Sequence, residues 1–202
     1  MAQTNAKSNK VKFGLNNVHY AKILSYSEDG TPTYATPIKI SGAVSLSIDA
    51  NGESENFYAD NGVYYVINNN SGYEGDLEIA LVPQIFAIDI LGEKLDNNGL
   101  LVENANAETS EFALFWEFDG DQNHVRHVAY RCSASRPNIS GSTTEDSKTP
   151  ETDTLPIKML ALPDGYVKAK TVPSTNSEIY AEWYKSVHLP EFTESTIVSE
   201  NW

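Results

Sequence analysis

Apolar and polar residues alternate with period two along several stretches of this chain. That period calls for strands, because successive side chains of an extended backbone point to opposite faces. Residues 43–50 are the clearest case: Val44, Leu46 and Ile48 fall on one side, Ser45, Ser47 and Asp49 on the other, and Asn51-Gly52 then ends the run as a turn. Residues 72–82 repeat the pattern, setting Tyr73, Leu77, Ile79 and Leu81 opposite Glu74, Asp76 and Glu78. Residues 112–118 and 125–132 predict two more strands, joined by the polar hairpin loop DGDQN at 119–123. Shorter β runs are expected at 18–25, 37–40, 63–68, 154–162 and 166–172, which makes the fold class mainly β.

Two stretches follow helical spacing instead. Pro83 suits a first helical turn, Ile85, Ile88 and Leu91 recur at i, i+3 and i+6, and Gly92 stands where a C-terminal glycine belongs. This predicts one short flanking helix with Ile88 facing the core. The second begins at Thr175, which with Glu178 matches a capping box and puts Ile179 and Trp183 on one side of a C-terminal helix.

At 202 residues the chain is expected to form one domain. The organisation reads as an N-terminal arm at 1–11, a main domain at 12–189 and a C-terminal extension at 190–202. Within the domain, residues 51–71 form a long insertion, and residues 140–152 (SGSTTEDSKTPET) have no apolar residue and form an exposed loop. The formal net charge of -14 argues against a nucleic-acid-binding surface, since phosphate contacts need a basic patch. Cys132 is the single cysteine, so an intrachain disulfide and a cysteine-based zinc site are excluded. No run is long and apolar enough for a membrane span, and the polar start MAQTNAKSNKVK offers no signal-peptide stretch, so folding in a cytoplasm is expected.

Motifs that carry chemistry are scarce. His124 and His127 would suit a metal on a helix, but residues i and i+3 of a strand face opposite ways. Asp119, Asp121 and Asn123 open like a calcium loop, yet the twelfth position is Tyr130 where a bidentate Glu is required. There is no Gly-x-Ser-x-Gly elbow and no glycine-rich phosphate loop, and Cys132 at a strand end suits a core. No enzyme activity, cofactor or metal is expected. Two features stand out. The carboxylates Glu74, Asp76 and Glu78 repel one another along one strand face unless solvent screens them. The insertion at 51–71 encloses Phe57, Tyr58, Val63, Tyr64, Tyr65, Val66 and Ile67 between polar turn residues, which suits either a partner surface or a hairpin packed on its own domain.

In order along the chain, FGLNNVHYA (13–21), GAVSLSIDANGE (42–53), FYADNGVYY (57–65), GYEGDLEIALVP (72–83), DILGE (89–93), FALFWEFDGD (112–121), HVAYRCSASRP (127–137) and PDGYVKAKT (163–171) resemble the major tail proteins of long-tailed bacteriophages of the siphophage type. The resemblance covers roughly residues 13–189, and the two ends have no counterpart in it. It implies the tail-tube fold: a β-sandwich or barrel with a helix on its flank, six copies closing into a ring, and rings stacked into the virion tail tube through which the genome passes. It also implies assembly in the bacterial host cytoplasm, with tape-measure, tail-tip and tail-terminator proteins as partners.

By the same analogy Ser45, Ser47, Glu74, Asp76 and Glu78 would face the channel, where an acidic wall repels phosphates and lets the duplex slide. The insertion, with Phe57, Tyr58, Val63, Tyr64 and Tyr65, would reach a neighbouring subunit or ring. Two other classes remain open. A carbohydrate-binding β-sandwich would display aromatics on a concave face. A hydrolase on a β scaffold would need a paired His and nucleophile, for which no motif is present.

Overall fold

The computed structural model describes residues 12–52, 54–121, 123–143 and 150–192. Residues 144–149 of the expected loop at 140–152 and the two terminal segments at 1–11 and 193–202 lie outside these residues. The chain forms β1 (Leu15–Tyr26), β2 (Pro32–Tyr34), β3 (Ile38–Lys39), β4 (Ala43–Ala50), β5 (Ser54–Ala59), β6 (Gly62–Asn68) and β7 (Tyr73–Ile79). A short helix follows, α1 (Gln84–Phe86), and runs on as a π-helical turn over Ala87–Leu91. After it come β8 (Lys94–Leu95), β9 (Leu101–Val102), β10 (Phe112–Phe118), β11 (Arg126–Ala134), β12 (Asp153–Leu160), β13 (Lys168–Lys170) and α2 (Ser177–Glu182). The fold is mainly β, with antiparallel pairing throughout.

The main sheet runs β2-β1-β10-β11-β12-β7-β4, with β3 also on β1 and β13 also on β11. Two features fold this path into a sandwich. First, β11 changes partner along its length: His127, Val128 and Ala129 pair with β13, whereas Arg131 to Ala134 pair with β12. Its register against β10 slips between these halves, as Phe112 opposes Cys132 but Leu114 opposes Ala129. The extra residue of a bulge turns Tyr130 and Arg131 together away from the larger core, Tyr130 into a second buried cluster. Second, β3 and β4 are one strand bent at Ser41-Gly42. On one side of the bend Ile38 and Lys39 pair with β1, and the Ile40 N–H donates to the Val18 carbonyl at 2.8 Å. On the other, Ala43 to Ala50 pair with β7. Both ends of the path are thereby tied together.

Inside the closed path lies the larger core, with Tyr20, Leu77, Ile79, Phe112, Leu114, Leu155 and Ile157 among its buried members. Phe86 of α1 enters it edge-on to Tyr20 and Phe112, with ring centroids 5.0 and 5.5 Å away. Strand β10 is buried on both faces: Ala113 and Phe115 belong to a second core with Val128, Tyr130, Leu162 and Trp183, covered by the segment after α2.

The structure corrects four details of the sequence reading. Val44 is exposed, because the register of β4 on β7 shifts between Ala43 and Ser45; Leu46 and Ile48 do face the core. Leu81 is exposed because β7 ends at Ile79, so the alternation no longer applies to it. In α1 the buried side is Phe86, Ala87, Ile90 and Leu91, whereas Ile85 is exposed and Ile88 only partly buried. The π turn inserts an extra residue, and the Phe86 ring sets which side turns inward. Helix α2 is capped one residue later than expected: Asn176 Oδ1 accepts the Glu178 N–H at 2.8 Å, while Thr175 Oγ1 accepts from Val172. Trp183 is buried as expected, but Ile179 is exposed.

Candidate functional site

Strands β4, β7, β12 and the second half of β11 form one layer of the sandwich, and its outward face gathers most of the polar positions singled out by alternation. Ser45 stands opposite Glu78, Ser47 opposite Asp76 and Asp49 opposite Glu74. The next strand continues the rows with Thr154, Pro156 and Lys158. Ser45, Ser47, Glu74, Asp76 and Glu78 therefore share one surface patch, and none of these rows holds an aromatic residue.

Within the patch the carboxylates differ in their surroundings. Glu78 accepts from Thr152 Oγ1 at 2.7 Å and from Ser45 Oγ at 2.8 Å, and these two hydroxyls hold its carboxyl below the usual range. Glu74 has Lys158 Nζ at 3.7 Å. Lys158 is the residue that the sequence reading missed. Alternation along β12 could have put it on a polar face, but only the pairing of β12 with β7 puts it beside Glu74. The face remains acidic, with Asp49, Glu74, Asp76 and Glu78 against Lys158, while Arg131 of β11 on the same side is paired with Glu111 at 2.7 Å. Alternate residues of a strand lie about 7 Å apart, inside the roughly 8 Å Debye length at physiological salt, so these charges act together on whatever approaches.

The insertion is a β-hairpin, β5 paired with β6, that leaves the sandwich at the Ala50/Tyr73 end of β4 and β7. The ribbon is continuous: Asn51 N–H donates to the Gly72 carbonyl at 2.9 Å and Ser71 N–H to the Asn51 carbonyl at 2.8 Å. Asp60 and Asn61 make its two-residue tip, with φ of 50° and 64°. Such left-handed pairs match the twist of a two-residue hairpin, and Asn and Asp tolerate them. Phe57, Tyr58, Val63, Tyr64, Tyr65, Val66 and Ile67 are all exposed, on both faces of the ribbon. Among the described residues, then, the hairpin does not pack on its own domain. Phe57 and Tyr64 touch only edge-on, at 6.5 Å between centroids.

The chemical candidates do not assemble. His124 lies in the turn before β11, and His127 points inward, stacked on Trp116 at 5.2 Å. Asp121 caps its own turn, accepting the N–H groups of Asn123 and Val125. Cys132 is fully buried, and burial pushes its thiol well above the ordinary range. Among the described residues no three His, Cys, Asp or Glu side chains converge as a metal site. No described helix is long and apolar enough to cross a membrane.

The described residues thus present an acidic sheet face and an exposed apolar hairpin, with no chemistry-bearing cluster among them. A family model described as phage tail tube protein matches residues 1–193, and the chain belongs to that family of structural virion tail proteins. The match takes in residues 1–10, where motif reading finds no counterpart. Comparison with curated proteins gave no match.

Proposed function

We propose that the chain closes into six-membered rings that stack into the tail tube, and that the β4-β7-β12-β11 layer lines the channel for double-stranded DNA. The observation that carries this reading is the outward face of that layer, where Asp49, Glu74, Asp76 and Glu78 stand against Lys158, and the one further cation, Arg131 of β11, is paired with Glu111 at 2.7 Å. A wall of net negative charge repels the phosphate backbone, so the duplex passes without the counterion release that would hold it. Strand β4 supports ring closure, since among the described residues its ladder runs only to β7 and its other edge is free to take a strand of a neighbouring subunit. The six-fold number comes from the resemblance to siphophage tail proteins.

On this reading assembly takes place in the bacterial host cytoplasm, around a tape-measure protein, from a tail-tip complex to a terminator. The apolar hairpin, with Phe57, Tyr58, Val63, Tyr64 and Tyr65, is the contact to a neighbouring subunit or ring. Electron microscopy of the concentrated protein, alone and with a tail-tip initiator, is expected to show hollow tubes of six-fold rings. Protein that stays dispersed with an initiator present would overturn the reading.

A further inference from the structure

Asparagine is followed by glycine at three places among the described residues: Asn51-Gly52, Asn61-Gly62 and Asn98-Gly99. The pair is chemically labile because glycine, with no Cβ, lets its main-chain nitrogen approach the preceding side-chain amide. All six residues are exposed, so access to water does not separate the three sites. What separates them is how firmly the reacting groups are held.

Asn98 is tied to one residue. The Asp96 carboxylate accepts the Asn98 N–H at 2.8 Å and its side-chain Nδ2 at 3.0 Å, and the Gly99 N–H donates to the Asp96 carbonyl at 3.2 Å. The leaving amide and the attacking nitrogen are thus both engaged, beside a carboxylate that opposes negative charge developing on the amide oxygen. Asn51 is pinned through its main chain. Its N–H donates to the Gly72 carbonyl, its carbonyl accepts from Ser71, and a Cβ at Gly52 would stand 2.0 Å from the Asn69 carbonyl oxygen, so the backbone there has no room to turn.

Asn61 is held in neither way. It sits at the hairpin tip with φ of 64°, its side chain has no hydrogen-bond partner among the described residues, and nothing lies within 4 Å of where a Gly62 Cβ would stand. Only the Ala59–Gly62 pair closes the turn. That pair ends a two-stranded ribbon exposed on both faces; such ribbons are marginal in water, so it opens readily and frees the Gly62 nitrogen.

We infer that Asn61 is a site of spontaneous deamidation, the fastest of the three, with water as the co-reactant. The Gly62 nitrogen bonds to the Asn61 Cγ, the Cγ–Nδ2 bond breaks, and ammonia leaves with the Gly62 proton; water then opens the cyclic imide at either carbonyl, with no change of oxidation state. Opening at Cγ leaves aspartate, a second carboxylate beside Asp60. Opening at the other carbonyl leaves isoaspartate, whose main chain runs through Cβ, so the two-residue turn gains an atom and Ala59 no longer meets Gly62 in register. The hairpin therefore changes charge and shape with age, whether or not the chain forms tubes.

The test incubates the full chain in heavy-oxygen water at mildly alkaline pH and maps peptide masses over time, the incorporated oxygen marking events that precede digestion. Loss of the amide at Asn61 is expected to run about tenfold or more faster than at Asn98 or Asn51, where hydrogen bonds must break first. Gly62→Ala, for which the tip has space, should slow Asn61 about tenfold or more by crowding the attacking nitrogen. Asp96→Ala should speed Asn98 and leave Asn61 unchanged. Equal rates at the three sites, or Asn98 ahead of Asn61, would overturn the inference, as would an Asp96→Ala chain in which Asn98 reacts no faster.

Discussion

The main-chain N–H of Ala80 donates to the carbonyl of Gly42 at 2.7 Å, and a Cβ on Gly42 would stand 3.0 Å from the Ala80 Cβ. This contact holds the bend where β3 becomes β4. Gly42 sits at φ +83°, a conformation that costs an L-residue roughly 1–2 kcal/mol.

Gly42→Ala should therefore destabilise the subunit by about 1–2 kcal/mol or somewhat more, since the new methyl must also push Ala80 aside. Urea unfolding measures it. A midpoint equal to that of the parent chain would mean that the bend adopts another conformation without cost.

The orientation of α1 gives a paired prediction. Ile90 is fully buried, and Ile90→Ala should cost about 2–5 kcal/mol. Ile85 is 48% exposed, and Ile85→Ala should change stability by about 0.5 kcal/mol or less. Thermal melts of the two variants decide which side of the helix faces the core, and equal losses would contradict the observed face.

Acid should weaken the fold through the two inward histidines. Burial, with Lys170 beside it, holds the His127 imidazole down at about 4, and burial also lowers His19. Unfolded histidine titrates near about 6.5, so below that pH the unfolded chain binds protons that the folded one refuses. Stability then falls as pH drops from about 6.5 toward 4. His127→Gln should flatten the pH dependence of the urea midpoint across that window. An unchanged slope would assign the loss to other groups.

The acidic face predicts a functional effect that assembly alone does not reveal. Glu74→Lys, Asp76→Lys and Glu78→Lys together should leave the sandwich folded, since these side chains point outward from the core. Genome ejection from particles carrying all three should slow, most of all at low salt, because each new lysine attracts phosphate. Normal ejection at low salt, with the substitutions verified in the tube, would remove these carboxylates from the channel wall.

Period-two alternation made the sheet legible because it is local: β10 has the expected bounds, and Ser45, Ser47, Glu74, Asp76 and Glu78 fall on one face. Alternation fails wherever a backbone irregularity resets its phase. The slip between Ala43 and Ser45 misplaces Val44, the bulge at Tyr130–Arg131 reverses parity within β11, and the π turn shifts the buried side of α1. Such irregularities depend on what the strand packs against, which a local pattern does not contain. Lys158 and Glu74 are far apart in sequence, so only the pairing of β12 with β7 brings them together. The hairpin lay between the two cases. Its apolar content was plain, but β5 is edged by Asn, Glu and Ser and carries no alternation to announce it.

The change of partner along β11 also has a mechanical meaning. One continuous main chain belongs to both layers of the sandwich, bonded to β12 in one and to β13 in the other. A pull applied to β12 reaches the opposite layer through covalent backbone and ladder hydrogen bonds, without passing through side-chain contacts alone. The two layers cannot slide over each other unless β11 itself gives way, so the sandwich resists shear as a single laminated plate.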